Sequence, residues 1–517
     1  MKLNQIKTGA ILSYVQMALN ILIGLIYTPI MIKSLGQSEF GLYNTIASTI
    51  SMLSILSMGL NSGYIKYYSK YKADGDEKSI SVLNGTFLLV FSIIGAISLA
   101  IGGILTFNLE LVFSTGLTSG EYEIARTLMV IMVVNLALSF PMSVFGNMIS
   151  AQEKFIFLKS LGIVKSLLGP MITFPLLLLG YRSIAMVLVS FFVAVFVDVI
   201  YLVYVLAVLR CLFALKKNNG AFLKDLFKYT SAIALISIVD TINWQIDKVV
   251  LGRFRGTAMV AIYSVGYSLQ TYFMMFSVAV SGIFTPKIHR IVNQSKDKLE
   301  MRSALTGIFT RVGRLQYLLL SLVLSGFVFF GNSFIKRWVG AGYDDSYFVA
   351  LLLMVAAIVP YIQNTGIEMQ RSQNKHYFRG VLYLSIAIVN FVISIFLCQL
   401  YGAIGCAIGT AVTMLIGNVI IMNVYYHKRC HINIFQFWKN ILSIMKGQII
   451  PVVAGILIMR FIDMSNIFVM LVWIAIYSAI YCLSVWLLSM NRYEKDLVLA
   501  PMKKILGLVF KRKNEQT

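Results

Sequence analysis

Acidic side chains are scarce in this chain: 21 Asp and Glu stand against 44 Lys and Arg, and charged residues of both signs make up only 13% of its 517 positions. So thin a charge density, beside 58% hydrophobic residues and a mean hydropathy of +0.81, excludes an ordinary soluble domain. Cysteine is almost as rare. Cys211, Cys398, Cys406, Cys430 and Cys482 are odd in number, form no C-x-x-C pair and fall in apolar runs or basic connectors, which argues against a disulfide framework or a zinc site. His289, His376, His427 and His431 lie in connectors without ligand spacing, so no metal and no cofactor are expected. Long polar stretches are missing too: no connector exceeds about two dozen residues and no G-x-x-x-x-G-K-[ST] occurs. A one-chain ATP-driven pump therefore has no room for its nucleotide-binding domain, and a polymerase or glycosyltransferase has none for a catalytic domain. The short alternating segments of a β-barrel are also absent.

What the chain has instead is apolar runs of 20 or more residues from end to end, each able to cross about 30 Å of hydrocarbon as a helix. The expected fold is an all-α polytopic membrane protein of about 14 transmembrane helices, near 9–34, 41–63, 80–106, 122–149, 156–179, 183–212, 228–251, 258–283, 306–331, 346–368, 380–400, 402–426, 445–463 and 466–489. The first run, Gly9 to about Leu35, is too long for a signal-peptide core and is counted as a spanning helix. An even count puts both termini on one side. Of the 44 basic residues, 34 fall on that side and nine on the other, with Lys165 in mid-helix. The positive-inside rule makes the termini cytoplasmic. The net charge of +23 is thus read as topology, not as a nucleic-acid footprint, and the basic tail from Ala500 to Lys513 as a segment lying on anionic lipid.

The chain also echoes itself. Pro141 and Pro360 interrupt corresponding helices, "AQEKF" at 151–155 matches "SQNKH" at 372–376, and Ile184, Ser190 and Asp198 fall on Ile404, Thr410 and Asn418. Six helices per copy is an even number, so both copies have the same orientation, as two bundles related by a pseudo-two-fold axis along the membrane normal. The domains read as 1–226 for the N-terminal six-helix lobe, 227–440 for the C-terminal one, 441–490 for two extra helices and 491–517 for the tail. Such pairs place the substrate site between the copies, and rocking gives alternating access.

Polar residues inside the apolar runs are the candidate site. In the stretch "SIVDTINWQIDKVVLGRFRG", Asp240, Asn243, Trp244 and Asp247 share one face of the seventh helix, with Lys248 about 100° round from Asp247. Each mid-membrane charge costs about 2.5–3.5 kcal/mol to insert and so needs water or a partner. The eighth helix adds Tyr263, Tyr267, Gln270 and Thr271 at helical spacing, the first adds Asn20, and the tenth adds Gln363 and Glu368, although Glu368 can equally pair with Arg371. Hydroxyls, amides and carboxylates beside aromatic rings suit sugars. The same pattern arises in plain helix packing.

Two motifs, Leu35, Gly36, Gly41 and Tyr43 in "IKSLGQSEFGLYNTIAS" and Asp247, Lys248, Leu251, Gly252, Tyr263 and Ser264 in "DKVVLGRFRGTAMVAIYSVGYSL", occur with the helix count and the two copies. Together they resemble the Wzx-type polysaccharide flippases of the multidrug/oligosaccharidyl-lipid/polysaccharide exporter superfamily. The resemblance implies a transporter, not an enzyme. Its cargo would be a polyprenyl-diphosphate-linked glycan carried from the cytoplasmic to the outer leaflet of a bacterial inner membrane, with other polysaccharide-assembly proteins as partners. Such cavities are cationic, whereas the seventh helix here offers two carboxylates to one lysine. On this reading Lys165 meets the diphosphate in mid-membrane, and Arg311 and Arg314 meet it at the cytoplasmic mouth, where the positive-inside rule alone explains them as well. Asp240 or Asp247 would bind a proton or sodium ion if transport is coupled; consumption of product is the other drive. A cation-coupled drug exporter, a peptidoglycan-precursor flippase and a non-transporting scaffold are the alternatives.

Overall fold

The computed structural model describes residues 4–499 apart from 58, 114–115, 216–219, 295–296, 374 and 376, so the basic tail lies outside the described residues. Its regular elements are helices: α1 (Gln5–Leu53), α2 (Leu60–Ala73), α3 (Glu77–Phe107), α4 (Ser119–Ala151), α5 (Phe155–Leu178), α6 (Ser183–Val203), α7 (Gly220–Phe254), α8 (Thr257–Ser281), α9 (Thr285–Gln294), α10 (Lys298–Trp338), α11 (Asp345–Ile362), α12 (Thr365–Ser372), α13 (Tyr377–Leu415), α14 (Met422–Lys428), α15 (Ile434–Met445), α16 (Ile449–Phe461) and α17 (Ile467–Leu488). Among the described residues, ten helical stretches are long and apolar enough to cross a membrane. Neither α7 nor α8 is among them, because their polar stripes dilute them. The chain is a multi-pass membrane protein.

Element ends follow local chemistry. Asn4 caps α1 by accepting from the backbone of Ile6 and Lys7, and Thr118 and Glu121 form a capping box at α4. The predicted first and second helices are two arms of α1, broken at Gly36, whose φ of 78° is open to glycine at little cost. The motif's second glycine acts differently: a Cβ at Gly41 would collide with the carbonyl of Thr257 at the start of α8. The predicted second helix runs too far, since Gly59 at φ 84° turns the chain before α2. The predicted tenth splits after Ile362 into α11 and α12, just beyond Pro360. The predicted eleventh and twelfth are arms of α13 on either side of Gly402.

The helices sort into two compact units. The first holds the residues up to Leu269 with Trp338–Leu352 and Tyr377–Thr413; the second holds Gln270–Arg337, the segment from Leu353 to the start of α13, and the residues from Met414 onward. In the first, Tyr64, Phe87, Phe91 and Phe145 center one core and Leu42, Phe113, Leu128 and Met129 another. In the second, Phe329 and Phe330 of α10 pack with Met470 and Tyr477 of α17.

The sequence echo has a backbone counterpart. Lys154 N–H donates to Ile149 O at 3.1 Å and Lys375 N–H to Gln370 O at 2.8 Å; Cys211 N–H donates to Val205 O and Ile432 N–H to Tyr426 O, both at 3.2 Å. Each pair of bonds stands 221 positions apart. Arg210 and His431, at the same spacing, both take the left-handed region, φ 49° and 57°. One fold-back after the fourth and sixth helices of the first copy is thus repeated in the second.

Candidate functional site

Four helices of the first unit enclose a cavity of about 500 Å³. Each gives one face: Tyr43, Ala47 and Ile50 from α1; Met132, Asn135, Ser139 and Ser143 from α4; Lys165 from α5; Val187, Ser190, Ala194 and Asp198 from α6. The i, i+3, i+4 and i+7 spacing on α4 and α6 is what turns these residues to one side. Lys165 and Asp198 are the charged pair on the wall, and no ion pair joins them among the described residues. Asp198 is a site residue that sequence reasoning used only as a marker of the repeat. Its signal was present, since an acid in an apolar spanning helix is a functional candidate by default.

A second polar center lies in the same unit and is closed. Asp247 on α7 is 0% exposed. Its Oδ2 accepts from the Tyr263 hydroxyl at 2.7 Å and the Thr410 hydroxyl at 2.6 Å, and its Oδ1 accepts from the Ser394 hydroxyl at 2.9 Å. Asn390 Nδ2 donates to Thr410 Oγ1 at 3.1 Å, which turns the threonine proton toward the acid. Ser394 and Thr410 come from the two arms of α13. Beside this cage Lys248, 7% exposed, sets its Nζ over the Tyr267 ring at 4.3 Å from the centroid. Tyr267 stacks on Tyr263 and has Trp244 6.0 Å away. A desolvated cation over a ring gains about 2 kcal/mol, so the Tyr267 face is taken up by Lys248.

The structure therefore gathers Trp244, Asp247, Lys248, Tyr263 and Tyr267, and sets Lys165 apart from them in the cavity. Asn243 reaches Tyr383 O at 3.5 Å and Asp240 is half-buried. Asn20 is exposed on α1. In the second unit Gln270 donates to the Tyr361 hydroxyl, Gln363 donates to Asn423 Oδ1 at 2.8 Å, and Glu368 pairs with Arg371 at 2.7 Å and with His289 at 3.8 Å. Arg311 lies over the Tyr493 ring at 4.3 Å. Arg314, 4% exposed, spends all its donors on the protein: Glu494 takes a bidentate pair at 2.6 and 3.0 Å, Asn440 O and Ser443 Oγ accept at 2.7 and 2.9 Å, and Ser489 O accepts at 2.9 Å. That leaves it no free fork for a diphosphate. Sequence reasoning missed Asn390, Ser394 and Thr410. The first two lie four apart on one helical face, but nothing local names the acid they serve.

A family profile described as "Polysaccharide biosynthesis protein" matches residues 6–291. The chain belongs to that family. This polysaccharide biosynthesis protein is 22% identical over 219 residues to the capsular polysaccharide biosynthesis protein CapF of Staphylococcus aureus, a match covering 41% of this chain and about half, 52%, of CapF. Its fold is similar to that of the lipid II flippase MurJ in an inward closed conformation, with a TM-score of 0.70 at 14% identity over 95% of this chain and 99% of that one. It is also similar to the MATE multidrug transporter DinF-BH, with a TM-score of 0.60 at 14% identity over 83% and 97%. These likenesses establish a fold shared with transporters of the MOP superfamily.

Proposed function

We propose that this protein flips a polyprenyl-diphosphate-linked oligosaccharide repeat unit from the cytoplasmic to the outer leaflet of the bacterial cytoplasmic membrane, by alternating access, for surface polysaccharide assembly. The observation that carries the reading is the cavity: a chamber of mixed polar and apolar lining that holds a lysine and a carboxylate inside apolar helices. A diphosphate-sugar head group cannot cross hydrocarbon unaided, because its charges and hydroxyls would be desolvated. A wall of serines, an amide and one lysine replaces that hydration while the prenyl chain stays in lipid. Lys165 is the residue that meets the diphosphate. Asp247 couples transport to a cation on this reading: its cage is all oxygen, so a proton would add to one carboxylate oxygen, and a sodium ion would make the three hydroxyls rotate to turn their lone pairs toward it. The other cargo is a peptidoglycan precursor; the likeness of fold to a lipid II flippase favors it over a small drug.

Cells lacking the protein test this. Their polyprenyl-diphosphate-linked glycans are extracted and their leaflet determined. Accumulation of a complete repeat unit facing the cytoplasm, reversed by wild type but not by Lys165→Gln at equal membrane level, is the expected result. Absence of accumulation in cells that make such a glycan would overturn the reading.

A further inference from the structure

We propose that the cavity of the first unit selects a glycan whose only negative charge is its phosphate linkage, and that Asp198 is the residue that turns away a second acid. This rests on the flippase reading and narrows its substrate class. The cavity wall has one cation, Lys165, and one anion, Asp198. The two attract each other electrostatically, but no ion pair closes either of them off among the described residues, so both line the space a ligand would enter. The serines decide the rest. Ser139, Ser143 and Ser190 donate their hydroxyl protons to carbonyls of their own helices, Leu136 O at 2.8 Å, Phe140 O at 2.7 Å and Met186 O at 2.9 Å. Toward the cavity they present lone pairs alone. An ionized Asp198 likewise only accepts, and Asn135 can both give and take. The wall therefore calls for a ligand rich in donors, hydroxyls or amines, with one anionic group for Lys165. A uronic acid would bring a second carboxylate that finds the Tyr43 hydroxyl and the Asn135 amide as its neutral donors, no spare cation and the like charge of Asp198. Rejection by unpaired or like charge is a strong source of specificity. The volume, about 500 Å³, is that of a small-molecule site.

The test uses the purified full chain in lipid nanodiscs and three synthetic lipids: undecaprenyl diphosphate, the same lipid carrying a neutral amino-sugar disaccharide, and that disaccharide with one sugar oxidized to a uronic acid. Wild type is expected to bind the neutral glycolipid about tenfold more tightly than the uronate. Asp198→Asn should shrink that gap to within about threefold, and Asp198→Glu should preserve it; an unfolding midpoint in detergent close to that of wild type shows that each variant is folded. Equal binding of the two glycolipids by wild type, or a gap unchanged in Asp198→Asn, overturns the proposal and leaves the flippase reading standing. Failure of wild type to bind all three lipids sinks both.

Discussion

Asp198 and Asp247 are carboxylates carried by apolar helices of the same unit, and they are housed in opposite ways. Asp198 faces an open cavity beside Lys165, where water or a ligand solvates it. Asp247 is fully enclosed, and three hydroxyls from α8 and both arms of α13 stand in for water. The cost of a charge in hydrocarbon can be offset by space or by fixed dipoles. Space leaves a site for a large polar ligand. Dipoles leave a joint between helices, whose state can change only when something as small as a proton or a bare cation enters. The buried Arg314–Glu494 pair is a third solution, in which opposite charges close on each other and nothing is left for a ligand.

The sharpest test of that contrast starts with the third case. Glu494→Ala strands a buried guanidinium and is expected to lower stability by about 3–5 kcal/mol, read as a fall in the unfolding midpoint in detergent. Next, Asp247→Ala removes the acceptor of three buried hydroxyls. A loss of about 3 kcal/mol together with loss of transport is expected, whereas Asp198→Ala, at an open wall, should cost under about 1 kcal/mol. Equal losses at the two acids would break the comparison. Tyr263→Phe, which removes one hydrogen bond to a charged group, should cost about 1.5–3 kcal/mol and leave the membrane level of the protein intact. Lys165→Gln should leave the unfolding midpoint within the effect of an ordinary surface change, about 0.5 kcal/mol, yet fail to restore flipping in cells lacking the protein.

The smallest effect lies in the paired fold-backs. Burial, with Lys375, Lys298 and Arg302 nearby, holds the His431 imidazole below its ordinary 6.5. The unfolded chain then takes up the proton first as pH falls, so stability is full above about 6.5 and declines below it. His431→Gln should flatten the slope between pH 6.5 and 5.5 in a thermal-shift series; a slope that survives would remove His431 as its cause.

Much of the fold was legible because it is local. Each of the fourteen predicted segments overlaps a helix; ends were missed at Gly59 and just after Pro360, where a backbone preference stops the helix more sharply than hydropathy does, and also at α6, which stops at Val203, and at α10, which runs well past both predicted ends. The polar stripe of the seventh helix was legible as well. Asp240, Asn243, Trp244 and Asp247 share a face by spacing alone, and Trp244 and Asp247 sit in the cluster with Lys248 and Tyr267. Arg314 read as a free cation at a helix end, because Glu494 lies 180 positions away.

The sequence by itself determined that this protein is helical and crosses the membrane many times. Those properties follow from the length and apolarity of single segments and from their repetition, since hydrocarbon forces every backbone polar group to be satisfied within its own helix. Only the tertiary structure decided that Lys165 faces Asp198 across a cavity and that Asp247 is closed in by Ser394 and Thr410, 147 and 163 positions on. Helical period assigns a residue to a face of its own helix; which neighbor lies against that face is settled by packing between helices whose outer surfaces are all similarly apolar.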